Sequence, residues 1–148
     1  MAPLTDDDDE PLPLCVQGGH LRLEPAVDGD QDFDPAEVTR LIGLEPTWTR
    51  HRLDDGVPPY TASGWWIDLP RRAEFNTEVL VREILDIIEP HASGLAQARR
   101  RFGLSAGIYI CVEVYQMLGS PRLQLPATTL RRLAALDVWL DCEQDLFY

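Results

Sequence analysis

Trp65 and Trp66 follow one another in Gly64-Trp65-Trp66-Ile67-Asp68-Leu69, a short run of strand-forming residues. Successive side chains of a strand point to opposite faces of its sheet. Trp65, Ile67 and Leu69 therefore share one face, and Trp66 and Asp68 share the other. Only one of the two indoles can lie wholly in the core. The other must be covered by another part of the chain, covered by a partner, or left in water.

The segment before this strand is where a cover would come from. Asp34 is a natural N-cap, Pro35 suits the first helical position, Glu37 is placed to complete a capping box, and Phe33 can staple onto Val38. Val38, Leu41 and Ile42 form an apolar face, and Gly43 can take the left-handed conformation that ends a helix. About twenty residues then run from Glu45 to Gly64 with Pro46, Gly56, Pro58 and Pro59 among them. Loops of that length without secondary structure are uncommon in compact domains and are often functional. This one carries Thr47, Trp48, Arg50, His51 and Arg52, and Arg71 and Arg72 follow the strand. Trp and Arg are enriched at binding hot spots, through apolar area and planar bidentate donors. Together with Trp65 and Trp66, these residues are the candidate binding surface, within positions 46–72.

The rest of the chain supplies a scaffold. Residues 1–17 read as an acidic, Pro-rich disordered tail and residues 18–148 as one domain. His20-Leu21-Arg22-Leu23-Glu24 alternates as a half-buried strand, and Asp28-Gly29-Asp30 is a turn. Asn76 caps the longest helix, with Val79, Leu80, Ile84, Ile87 and Ile88 on its apolar face until Pro90 ends or bends it. A second helical piece carries Leu95, Ala98 and Phe102 and stops at Gly103. Ile108, Ile110, Val112 and Val114 alternate with Tyr109, Cys111, Glu113 and Tyr115 in the clearest strand. Gly119-Ser120-Pro121 marks a turn, from which Arg122-Leu123-Gln124-Leu125 can return as a hairpin partner. Pro126 opens a helix with Leu130, Leu133, Ala134 and Leu136 on its face, and Val138, Leu140 and Cys142 lie in a last strand. The expected class is α+β: a mixed β-sheet with helices on one face, as in ferredoxin-like folds. A faint pseudo-repeat of strand, helix and strand relates residues 20–69 to 122–142.

Composition narrows the function classes. With 45% hydrophobic and 26% charged residues the chain is of globular type, and its longest apolar runs are far too short to span a membrane. The acids at 6–10 occupy the place where a signal peptide needs an apolar stretch, so the expected location is cytoplasmic. The net charge of −12 argues against nucleic acid, whose binding needs a basic stripe, and permits docking on a basic protein partner or simply keeps the chain soluble. Homodimerisation through the same surface is the simpler version of a protein interface.

No standard catalytic or cofactor motif is present: no G-x-S-x-G elbow, P-loop, G-x-G-x-x-G or H-E-x-x-H. An enzyme at the long loop would draw on His51, Asp54, Asp55 or Tyr60, none of which has an orienting partner visible in sequence. His20, His51 and His91 lack metal-ligand spacing, and Asp54-Asp55-Gly56 lacks the further acids of a calcium loop. No metal and no cofactor is expected. Cys15, Cys111 and Cys142 are odd in number and widely spaced, which suits a reducing compartment; Cys111 and Cys142 are expected to be small buried side chains.

The stretch Asp34-Pro35-Ala36-Glu37-Val38-Thr39-Arg40-Leu41-Ile42-Gly43-Leu44-Glu45-Pro46-Thr47 resembles the signature of a bacterial family known only as a domain of unknown function, number 4279. The similarity rests on the Asp-Pro-x-Glu-Val-Thr helix, the Gly-x-x-Pro-Thr exit, the later Gly-x-Trp strand and Leu133-Ala134-Ala135-Leu136 before the last strand, over about residues 20–145. Trp48 and His51-Arg52-Leu53 stand where such members commonly have a Lys-Gly-Glu turn. The resemblance implies domain limits and no activity. The expected function is that of a non-enzymatic protein-binding module, an immunity-type inhibitor of a basic toxin being one form. The alternative is a small-molecule-binding domain or hydrolase-like enzyme with a pocket under the 45–64 loop.

Overall fold

The computed structural model describes residues 14–27, 32–54, 56–58, 61–116 and 121–147. The alternating Leu104–Val114 stretch forms β4, and it pairs antiparallel along its whole length with β1, Cys15–Pro25. Their inward side chains match in register: Leu21 lies opposite Ile108 and Leu23 opposite Ala106, all fully buried. On the other side of β1 runs β3, Gly64–Ala73, and beyond it the three-residue β2, Trp48–Arg50. The last strand, β5 (Trp139–Leu146), joins β4 in parallel, so the sheet is mixed, with order β2-β3-β1-β4-β5.

The helices are α1 (Pro35–Ile42), α2 (Thr77–Ile88), α3 (Ala92–Phe102) and α4 (Ala127–Leu136), with a 3₁₀ turn at Glu89–His91 bridging α2 and α3 around Pro90. Strands β1 and β2 are parallel with β3 inserted between them; β3 and β4 are parallel with β1 inserted between them. Two interlocked strand–helix–strand halves of this kind make the ferredoxin-like arrangement, to which α4 and β5 add a third crossover. The expected α+β class is the one observed.

The pseudo-repeat lies elsewhere than the sequence suggests. Arg122 makes only an isolated parallel bridge to Asn76, so no hairpin partner of β4 forms at residues 122–125. The backbone there is used to seat the start of α2 instead, through Thr77 N–H to Arg122 C=O at 3.0 Å and Arg122 N–H to Phe75 C=O at 3.0 Å. The strand expected at residues 20–24 also starts earlier. Cys15 and Gln17 are buried sheet residues rather than tail, while residues 1–13 lie outside the described residues, as do the turns expected at 28–30 and 119–120.

Local signals account for the helix ends. The Asp34 carboxylate accepts from the Ala36 N–H at 2.9 Å, and Gly43 (φ 75°) donates its N–H to Thr39 C=O at 2.8 Å. Glu37 departs from the expected capping box, because it accepts from Arg40 (2.7 Å) and from Arg101 of α3 (3.4 Å). Asn76 caps α2 as expected, though the buried stripe is Leu80, Val81, Ile84, Leu85 and Ile88, with Val79 and Ile87 at its margins. On α4, Leu133 is buried but Leu130 is exposed. The buried place one turn earlier goes to Thr129, whose hydroxyl donates to the shielded Glu78 carboxylate at 2.9 Å. Among the described residues no helix is long and apolar enough to cross a membrane.

Candidate functional site

The core lies between the helices and one face of the sheet, and this separates the two adjacent tryptophans. Trp65 is on the helix side and fully buried, its indole N–H donating to Thr39 Oγ1 of α1 at 3.0 Å. Trp66 is on the opposite face, yet it is only 5% exposed. The cover comes from the long segment, which is not irregular throughout: Trp48–Arg50 forms β2 and sets Trp48 directly opposite Trp66. The two indoles stack at 3.9 Å between centroids and 4° between planes, and the Arg50 guanidinium lies 5.1 Å from the Trp66 ring centre. Trp48 itself stays 45% exposed.

The short motifs around Trp66 now have physical reasons. A Cβ on Gly64 would lie 2.0 Å from the Trp66 ring, so Gly at that place lets the indole fold back along its own strand. The Pro46-Thr47 exit is tied to the same strand: Thr47 N–H donates to Trp66 C=O at 2.8 Å, and Thr47 Oγ1 accepts from Asp68 N–H at 2.8 Å. On the far side of the face the arrangement recurs between strands, with the Trp139 indole lying over Gly107 and donating to Ser105 Oγ at 2.9 Å.

Between these ends the open face is polar and aromatic in rows. One row runs Trp48, Trp66, Arg22, Gly107, Trp139; the next runs Asp68, His20, Tyr109, Asp141. His20 and Tyr109 stack at 5.3 Å, and Arg22 lies 4.9 Å over the Tyr109 ring. Burial, and after it the Arg22 charge, lower the His20 pKa, so its imidazole is neutral at neutral pH. The Tyr109 hydroxyl donates to Glu143, and that carboxylate, with burial next, raises its pKa to about 12. An open groove of about 310 Å³ lies at the β2 end of this face, lined by His20, Trp48, Trp66, Asp68, Arg71 and Cys111 among others.

The candidate binding residues are thus divided. Trp48, Arg50, Trp66 and Arg71 come together on the open face; Arg71 ion-pairs there with Glu113, its stem packed over Gly18. Thr47 serves the β2–β3 connection. Trp65 and Arg72 belong to the helix side, Arg72 being paired with Glu83 of α2 at 2.7 Å. An irregularity in the β1–β3 register between Gln17 and Gly19 accommodates Pro70 in a strand interior, where β2 has already ended.

The remaining loop residues face elsewhere. His51 pairs with Asp32 at 3.0 Å, and its backbone N–H donates to Asp54 at 2.9 Å; Arg52 N–H donates to Ser63 Oγ at 2.8 Å. His51 is not among the residues lining the groove. Asp55 and Tyr60 lie outside the described residues. Sequence reading placed His20 and Tyr109 on strands but did not connect them with the tryptophans, since only strand order does so.

Cys111 is exposed on the open face, contrary to expectation, and Cys142 is half-buried on the helix side of the neighbouring strand. Burial, then the carboxylates nearby, hold the Cys111 thiol above its ordinary pKa; burial also raises Cys142. Neither has the electropositive setting of a reactive thiolate. Among the described residues no group of three His, Cys, Asp or Glu is placed to hold a metal.

The model of a domain of unknown function, DUF4279, matches residues 22–146, from within β1 to the end of β5. The chain belongs to the DUF4279 family. The DUF4279 match takes in α4 and β5, so the third crossover is part of the family domain and not an appendage. No curated protein and no solved structure matches the chain.

Proposed function

We propose that this DUF4279 chain is a non-enzymatic protein-binding module of a bacterial cytoplasm, docking a basic protein on the open face of its sheet. The carrying observation is that the helices occupy one face only, while the other presents an exposed Trp48 on a Trp66–Arg50 stack. Anchor area of this kind is what protein interfaces concentrate at their centres. On the same face Asp141, Glu143 and Asp145 form an exposed acidic row along β5. An acidic border around an aromatic centre speeds the encounter with a basic partner and rejects acidic ones. Inhibition of a basic toxin by an immunity protein is one biological form of such docking, and self-association through the same face is another.

The alternative, a small-molecule or hydrolytic site beneath the 45–64 segment, has the His51–Asp32 pair in its favour. That pair and the groove do not coincide. The test is co-expression with the products of neighbouring genes, followed by titration calorimetry on any complex. Trp48→Ala should weaken binding by about thirtyfold, as expected of an anchor worth about 2 kcal/mol. Replacing Asp141, Glu143 and Asp145 together by amides should flatten the salt dependence of association. Equal binding by wild type and both variants would remove the open face as the interface.

A further inference from the structure

Two aromatic rings of the open face are covered by cations of the same chain. Arg22 lies over Tyr109 and Arg50 over Trp66, each guanidinium about 5 Å from a ring centre. Trp48 has no such cation among the described residues, although it is the most exposed of these rings and stacks on Trp66 alone. Asp68 lines the same groove. Its carboxylate, which faces the neutral His20 ring, forms no ion pair or side-chain hydrogen bond among the described residues, and its backbone N–H donates to Thr47 Oγ1. The other ionic groups at the groove are committed. Arg71 is paired with Glu113, and His20 is a neutral ring stacked on Tyr109; Arg22, outside the groove lining, is paired with Glu24. A half-exposed indole and a carboxylate without an ion pair among the described residues thus line one cavity of about 310 Å³, in a chain of net charge −12.

We propose that this groove receives an arginine side chain of the partner, its guanidinium stacked on Trp48 and paired with Asp68. A guanidinium fits both groups at once: its plane stacks on an indole, and its edge donates two parallel N–H bonds to one carboxylate. An ammonium offers a point charge and no plane, so lysine is the weaker ligand. The inference rests on the protein-docking reading above and names the side chain that reading leaves open.

The probe is the peptide acetyl-Gly-Arg-Gly-amide, titrated into the full chain while the Trp48 indole N–H signal is followed by NMR. The citrulline peptide, equal in shape and uncharged, and the lysine peptide serve as comparisons. The arginine peptide should shift the Trp48 signal saturably, and the other two should bind several-fold more weakly. Asp68→Asn should abolish the preference for arginine over citrulline, whereas Asp86→Asn, which removes one negative charge on α2, should leave it intact. No saturable shift, equal binding of arginine and citrulline, or wild-type affinity in Asp68→Asn would each overturn the proposal; equal binding of lysine would overturn the choice of guanidinium. The citrulline comparison needs no variant, so a misfolded Asp68→Asn would not shield the idea. If the peptide fails while a basic protein still binds with Trp48 dependence, arginine capture is wrong and the docking reading stands. If the peptide binds and no partner docks at this face, the reverse holds.

Discussion

The two ends of the open sheet face use the same device for different results. At the β3 end, Trp66 folds over Gly64 and is then sealed by Trp48 and Arg50 from the neighbouring strand. At the β5 end, Trp139 folds over Gly107 and is tied by one hydrogen bond to Ser105, with nothing stacked above it among the described residues. The first tryptophan is nearly inaccessible, and the second is half-buried beside a row of acids. A glycine beneath an indole therefore makes a flat apolar tile, and the neighbouring strand decides whether that tile is roofed or presented. The β2 edge is short and supplies the roof. The β5 edge is longer and carries charge, which guards it against pairing with another strand of its own kind, since like charges directly opposite are destabilising.

The largest effect should come from filling the two glycines. Gly64→Ala is expected to cost about 2–3 kcal/mol, because overpacking must displace an indole held from both sides. Gly107→Ala should cost only about 1 kcal/mol at the looser end, where the Trp139 ring can swing outward. Denaturant unfolding of the two variants measures the difference, and equal costs would show that the two tiles are held alike. Next in size, Trp48→Ala should lower stability by about 1 kcal/mol, the value of one stacked aromatic pair. It should also raise the solvent accessibility of Trp66 in acrylamide quenching. Unchanged quenching would mean that Arg50 alone shields Trp66.

The smallest effect lies between the two ends, at His20, which faces Arg22, Glu24, Asp68 and Tyr109. Its pKa is lowered in the folded chain, so the unfolded chain binds the proton more readily. The stability associated with the neutral ring is therefore full above the unfolded value of about 6.5 and is lost as pH falls below it. Replacing His20 by Asn should flatten the stability–pH curve on that acidic side by a small amount. A curve of unchanged slope in the variant would remove His20 from the account.

Much of this was legible because it is local. The caps at Asp34, Gly43, Asn76 and Gly103 depend on a few neighbouring residues, and each of those helix ends lies where its signal stands. Alternation marked β4 for the same reason. Reading failed where a partner distant in the chain took a group over. Thr129 took a buried place through Glu78, and residues 122–125 seated α2 instead of extending the sheet, while Glu37 left its capping box for Arg40 one turn on and for Arg101 of α3. Charge pairs and hydrogen bonds of this kind carry no period for a sequence to reveal.

By itself the sequence determined that Trp65 and Trp66 part to opposite faces, because the strand repeat is two and admits no other outcome. It also determined that only one of them can lie wholly in the core. Which one, and what covers the other, was decided only when β2 paired with β3 and set Trp48 opposite Trp66. The meeting of Trp48, Asp68, His20 and Tyr109 on one surface was likewise a matter of strand order, since β3, β1 and β4 are distant in the chain and adjacent in the sheet. Side-chain direction is written residue by residue, whereas adjacency across a sheet is a collective result of packing one core.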